Sequence, residues 1–377
     1  MPSGTGHVCG PFDPDQTLPP QFAAIAQSVY ADDSFWLGED AVALQRRFSR
    51  ANDFFQQGKA WLGVADGAVN SATRLAGFVH PQQIVDGKLA AWFGFWETAD
   101  LLAPNKKLFE QLEQWAREQG ASALYGPIDF NTFSRNRLRL NDFDQSCFPG
   151  EPYNPDYYPR LLTQLGFGIE RRYQSRFHLH APVLTAELQP RLQASRAALQ
   201  DQFHITPLTP DYWLDHLDDL YPLVDTIFRD NFAYTPISRQ QFGASCGEAF
   251  AHTFCPRTSV LATTHDGEVA GFFLCFPDYS PLLRHANPQR LTLEKIRYDV
   301  HAQLLPQPTL ALAKTGGVHP RFRQSGLFNW MGLELVVGVG MHYDLLCGAL
   351  MREDNPSLRF GMICPLQRDY GLFGKTL

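Results

Sequence analysis

The sequence predicts an α/β (α+β) chain folded as two globular units. Its 377 residues exceed the size at which a single core usually keeps growing, and 44% hydrophobic content suffices to fill two. The order of strand-like and helix-like segments in the first half returns in the second. Turn and cap signals also recur, with Asp66-Gly67 and Asp266-Gly267 offset by 200 residues and Asn154-Pro155 and Asn355-Pro356 by 201.

In the first half, A-W-L-G-V (60–64) reads as a strand, Asp66-Gly67 as a turn, and Leu75 to Val79 as a second strand. A third apolar run, A-A-W-F-G-F-W (90–96), precedes a helix in which Leu108, Leu112 and Trp115 recur at helical spacing before a stop at Gly120. A short strand at Leu124-Tyr125 leads into the polar loop 126–137. Asn154 is then expected as an N-cap, Pro155 as the first helical residue and Gly166 as the C-cap.

In the second half, 259–276 gives a strand, the Asp266-Gly267 turn and a strand opening on A-G-F (270–272), which matches A-G-F at 76–78. T-L-A-L-A-K-T-G-G-V (309–318) reads as a long strand, 327–340 as a helix, and Leu345 to Leu350 as a strand before Asn355-Pro356. A duplication accounts for the three shared markers. The join is expected near 181–200, where A-P-V-L-T-A-E-L-Q-P starts a polar, helix-prone connector, giving domains 1–182 and 183–377.

Thirty-two basic against 39 acidic residues give a formal charge of -7, with no Lys/Arg block of the kind that tracks a nucleic-acid backbone. No basic-then-apolar leader opens the chain, and no apolar window is long enough to span a bilayer. The seven cysteines (9, 147, 246, 255, 275, 347 and 364) are scattered without a C-x-x-C pair, which fits neither a disulfide framework nor a zinc site. A soluble protein of the reducing cytoplasm is expected, with no metal and no membrane partner. His178 and His180 lack a third ligand in view, the GxG at 338–340 falls inside a helical pattern, and no G-x-S-x-G is present for a serine nucleophile.

The stretch V-H-P-R-F-R-Q-S-G-L-F (318–328) follows a strand and opens a helix. The first N–H groups of a helix have no internal partners, so such a turn can cradle a phosphate. With the hairpin before it, the strand after it and the Asn-opened helix beyond, V-x-P-x-x-R-x-x-G-L resembles the GNAT superfamily of N-acyltransferases. F-G-F-W-E (93–97), Y-G-P (125–127), Y-N-P-D-Y-Y (153–158) and F-P-D (276–278) are similar to a group of two-domain GNAT-like proteins. The resemblance implies two GNAT-like domains, each a mixed, mostly antiparallel twisted sheet flanked by helices.

It also implies an acyl-CoA co-substrate. Backbone N–H groups of Gln324, Ser325, Gly326, Leu327 and Phe328 would hold the pyrophosphate, and Arg323 would add a charge-assisted bond. The N–H of Val318 would meet the oxyanion and the pantetheine, with Asn355 facing the same cleft. Phe328 departs from the small residue usual in the family. The first half has no R-x-x-G between Trp96 and its helix, so one cofactor site per chain is expected, in the C-terminal domain.

Direct attack by an amine needs a base, oxyanion donors and an acid for the leaving thiolate. Tyr370 is the candidate acid; Glu97, among aromatic residues, and Asp278 are candidate bases. Asp129, Asn131 and Arg135 in the polar loop are candidate substrate ligands, although a solvated loop has the same composition. The function expected is transfer of an acetyl or other short acyl group from acyl-CoA to the amine of a small molecule. Two readings stand beside it: a donor carried by an acyl carrier protein or aminoacyl-tRNA, and a binding protein without catalysis.

Overall fold

The computed structural model describes residues 8–65, 72–285, 291–355, 358 and 366–377. In chain order the strands are β1 (Val8–Phe12), β2 (Lys59–Ala65), β3 (Thr73–Val79), β4 (Ile84–Val85), β5 (Lys88–Leu89), β6 (Ala91–Thr98), β7 (Ala123–Gly126) and β8 (Leu138–Arg139). They continue as β9 (Gly168–His178), β10 (Phe203–Pro207), β11 (Val260–Thr264), β12 (Val269–Pro277), β13 (Leu310–Val318), β14 (Leu345–Arg352) and β15 (Leu366–Thr376).

The chain divides into two compact units. The first comprises Met1–Arg172, Asn231–Ile237 and Asp369–Leu377; the second comprises Tyr173–Asp230 and Ser238–Arg368. The last strand of each half is thus exchanged. The C-terminal residues of β15 belong with the first unit, and β9 from Tyr173 onward belongs with the second.

In the first unit the strand order is β1-β2-β3-β6-β7-β15, antiparallel throughout except for the parallel pair β6–β7. In the second it is β10-β11-β12-β13-β14-β9, antiparallel except for the parallel pair β13–β14. A parallel neighbour requires a crossover, and a helix supplies it in each case: Leu102–Glu118 and Leu327–His342.

The Leu102–Glu118 helix buries Leu108, Phe109, Leu112, Trp115 and Ala116 against the sheet beside Trp61, Leu75 and Phe93. It ends at Gly120, whose φ of +86° is the left-handed conformation that glycine adopts without strain. The opposite face carries a cluster of phenylalanines in which the Phe48 ring meets those of Phe22, Phe78, Phe95 and Phe130 edge-on or tilted. In the second unit the Leu327–His342 helix is apolar nearly all round because it is covered twice. The sheet lies on one side and the Ala181–Leu199 helix on the other, with Leu184, Leu188 and Leu192 buried against it.

Three local expectations are corrected. The stretch expected as a polar, helix-prone connector is indeed helical, but the 19-residue helix Ala181–Leu199 buries one side in the core of the second unit instead of linking two units. The helix after Asn154 starts at Tyr158; Asn154 instead accepts the Arg139 N–H (2.8 Å) and donates to Pro155 O (2.9 Å), acting as a buried brace for β8. The A-G-F triplets do not hold corresponding places: Ala76 pairs with Gly94 before a bulge in β6, while Ala270 lies level with His319, beyond the bulge of β13. The Asp66-Gly67 turn and Pro356 lie outside the described residues. Gly166 (φ +85°) and Gly267 (φ +90°) do close a helix and a hairpin, as their sequence context requires.

Candidate active site

The long strand of each unit carries a β-bulge. On β13 the register with β12 shifts between Phe273↔Gly316 and Cys275↔Ala313, and Thr315 within it has φ +67°. A β-branched residue in that region is strained and is held there only by its surroundings. Beyond the bulge, His319 N–H donates to Ala270 O (2.8 Å). Antiparallel ladders alternate, so the N–H groups of Val318 and Gly316 are directed away from β12, past the end of the β13–β14 pairing at Ala313↔Gly348.

After Val318 the chain makes a 3-10 turn (Pro320–Phe322), capped by His319 Nδ1, which accepts the Arg321 N–H at 3.2 Å. Gly326 then starts the Leu327–His342 helix at φ +90°. Two of the five loop amides are already used: Ser325 N–H donates to Phe322 O (3.1 Å) and Leu327 N–H to Ser325 Oγ (3.2 Å). Gln324 and Gly326 stand exposed at the start of the helix, where N–H groups and the positive end of the helix dipole favour an anion. Strand, bulge, loop and helix stand in the order that the sequence resemblance implies. The fold is GNAT-like.

No family model matches the sequence. It is 21% identical over 271 residues to Protein YghO of Escherichia coli (strain K12), a match spanning 71% of this chain and 67% of that protein. Among solved structures, the GCN5-related glucosamine N-acetyltransferase region of a fungal multi-domain β-N-acetylglucosaminidase gives a TM-score of 0.49 at 12% identity. That match covers 99% of this chain and 38% of the fungal one, so this chain spans well under half of the latter. A GCN5-related N-acetyltransferase from Kribbella flavida gives 0.45 at 10% identity, over 94% of this chain and 69% of that one.

Within the GNAT-like frame, the side chains of the loop have specific ties. Arg323 donates to Ile227 O (3.0 Å), at the end of the Leu217–Phe228 helix, and lies 3.7 Å from Asp230. Arg321 pairs with Glu268. Phe328 packs beneath the helix, its ring edge-on to Phe273 at 5.0 Å, so its bulk is directed into the core. Asp278 accepts from Ser280 N–H (2.9 Å) and Ser280 Oγ (3.0 Å), the bonds of a residue that opens a helix. Asn355 closes a turn, donating to Arg352 O (2.8 Å) and accepting from Leu358 N–H (3.1 Å).

The first unit gathers Glu97, Asp129 and Arg135 into one network, with both carboxylates buried and the arginine partly exposed. Glu97 Oε1 accepts from Arg135 (2.8 Å); Oε2 accepts from the hydroxyls of Tyr30 (2.9 Å) and Tyr158 (2.8 Å). Asp129 Oδ1 accepts the Phe95 N–H (2.7 Å), and Oδ2 lies 3.4 Å from Arg135 Nε. Arg74, fully buried, lies 3.9 Å from Glu97 and binds both oxygens of Glu39. Burial, then the Glu97 carboxylate, pushes both tyrosine hydroxyls well above their ordinary range. Burial works against the charge of Arg135, but Glu97 and Asp129 outweigh it and hold its pKa well above the ordinary arginine value. Asn131 stands apart from this network, its Oδ1 accepting the Phe133 N–H (3.0 Å).

Tyr370 also belongs to the first unit. It is fully buried on β15, its hydroxyl donates to Glu151, and Glu151 pairs with Arg139 at 3.0 Å. Tyr30 and Arg74 complete the network without having been singled out from the sequence. Arg74 left a signal, a charged residue in the otherwise apolar T-R-L-A-G-F-V strand; Tyr30, on the segment before β2, left none. Among the described residues, no group of His, Cys, Asp or Glu side chains is arranged to hold a metal ion, and no helix is long and apolar enough to cross a membrane.

Proposed function

We propose that the chain is an N-acyltransferase whose second unit binds an acyl-CoA and passes its acyl group to the amine of a small molecule. The observation that carries this reading is the edge of β13: two amides directed away from β12, leading to an exposed helix start at Gly326. A diphosphate at that helix start would accept from the N–H groups of Gln324 and Gly326. The pantetheine arm would then run back along the strand, past Val318 and Gly316, toward the bulge.

The amine nitrogen attacks the thioester carbonyl carbon, forming the C–N bond as the C–S bond breaks. The proton shed by the amine is balanced by the one that the CoA thiolate takes up. A strand-edge N–H such as that of Val318 stabilises the intermediate oxyanion. With Phe328 turned onto Phe273, a carrier-borne donor is not needed to explain its bulk.

Arg323 is assigned to the far side of the phosphate loop, where it ties the loop to Ile227 and adds positive charge near the anion. Isothermal titration with acetyl-CoA, together with mass-spectrometric detection of acylated products from a panel of amines, tests the proposal. Binding without any acylated amine would reduce the function to binding, and no binding of any acyl-CoA would overturn the proposal.

A further inference from the structure

The parallel pair β13–β14 stays in register from Leu310↔Leu345 to Ala313↔Gly348 and then opens. Two residues further on, both strands are bent at the same level. Thr315 has φ +67° in the bulge of β13, and Leu350 has φ +56° where β14 shifts register against β9. Two non-glycine residues at positive φ, side by side on neighbouring strands, mark a wedge held open by the backbone itself. The outward N–H groups of Gly316 and Val318 border the same wedge, so its closed end is at Ala313 and Gly348.

At that closed end Gly348 has no Cβ, and the space is taken by one flexible side chain. A Cβ on Gly348 would lie 3.2 Å from Met351 Cε and 3.6 Å from its Sδ, with no other atom within 4 Å. In a regular strand, residues three apart point to opposite faces. The β14 bulge, which sets Gly348 and Met351 against Arg176 and Gln174 of β9, brings the Met351 side chain back over Gly348.

We infer that Met351 is the floor of the acyl site and restricts the donor to short acyl groups, a conclusion that rests on the acyl-CoA reading above. A thioether is the most adaptable filler among apolar side chains, so trimming it frees depth while the glycine beneath leaves room for it.

The test measures binding of acetyl-, butyryl-, hexanoyl- and octanoyl-CoA to the parent chain and to Met351→Ala, Met351→Leu and Gly348→Ala. The parent and Met351→Leu should favour the two-carbon donor. Met351→Ala should shift the hexanoyl-to-acetyl affinity ratio at least tenfold upward, and Gly348→Ala should weaken butyryl-CoA relative to acetyl-CoA. If Met351→Ala binds CoA but keeps the parental chain-length order, the inference is wrong and the acyl-CoA reading stands. A folded parent that binds none of the four donors removes both. Should Met351→Ala fail to fold, Gly348→Ala decides alone: an unchanged butyryl-to-acetyl ratio overturns the inference.

Discussion

The strands β6 and β13 each lie between an antiparallel and a parallel neighbour and each carry a bulge, yet their outer edges are treated in opposite ways. On β6, Phe93 O accepts the Ile128 N–H (2.7 Å), Phe95 N–H donates to the Asp129 carboxylate (2.7 Å), and Thr98 N–H donates to the Tyr158 hydroxyl (2.8 Å). A Cβ on Gly94 would strike Ile128 O at 2.5 Å and Asp129 Oδ1 at 2.7 Å, so the 127–130 segment lies directly on the strand. The first unit therefore fills the edge of its strand with its own carboxylate and hydroxyl. On β13 the last residue, Val318, directs its N–H away from β12 and leads into the Gly326 helix start. The same topology thus serves once as a closed frame and once as a candidate site, and topology alone does not reveal which is which.

Deleting Asp369–Leu377 gives the largest expected effect on this comparison. It removes the β15 residues that pair with β7 and β8, the Tyr370–Glu151 bond and the Lys375–Glu113 ion pair. Hydrogen exchange should show β6 and β7 losing protection while β12 and β13 keep theirs; protected β6 amides in the truncated chain would contradict the assignment of this segment to the first unit.

Glu97→Ala comes next. It leaves the buried Arg74 and the partly exposed Arg135 without one of their counter-charges, and strands the Tyr30 and Tyr158 hydroxyls, a loss of about 3 kcal/mol. The expected result in chemical denaturation is a much lower unfolding midpoint with CoA affinity unchanged. A folded, stable variant with abolished acyl transfer would instead make Glu97 a catalytic base. Arg323→Ala is smaller, about 1.4 kcal/mol or a tenfold loss of CoA affinity, with little change in stability.

The smallest effect concerns pH. Burial opposes ionisation of Glu39, but Arg74, bonded to both of its oxygens, holds its pKa below the ordinary glutamate value. A depressed carboxyl stabilises the fold fully above its unfolded pKa, about 4.3, and loses that contribution as pH falls through the folded value. Glu39→Gln should therefore lower stability at neutral pH and flatten its decline in acid, followed as thermal midpoints from pH 6 to pH 3.

Local features were legible from the sequence. Apolar runs bounded by turn residues mark β2, β3, β6 and β13, helical spacing marks the helix before Gly120, and the sequence singles out Gly326 within the loop. Its reason differs in part: φ +90° demands glycine, whereas an added Cβ would meet only Leu199 at 3.6 Å. Non-local choices were not legible. Nothing in the alternation of residues 366–376 states which sheet receives that strand, because pairing partners are set by chain-wide topology. For the same reason Tyr370, the candidate acid for a site in the second unit, lies in the first unit. Glu97 is visible as a carboxylate among aromatic residues and Arg135 as a charge in a polar loop, but the Tyr30 hydroxyl that also binds Glu97 comes from the residue just past the Pro20–Val29 helix, 67 positions away in sequence.

The most direct test of the difference between the two edges is the stoichiometry of CoA binding, with Gly326→Asn as the probe. Asparagine tolerates the left-handed conformation better than other residues with a Cβ, so the helix start should persist while its side chain stands over the loop. Isothermal titration should give one CoA per chain for the parent and at least a tenfold loss of affinity for Gly326→Asn, with the circular dichroism spectrum unchanged. Two CoA molecules per chain, or a single site that Gly326→Asn leaves at parental affinity, would contradict the assignment of the site to the second unit alone.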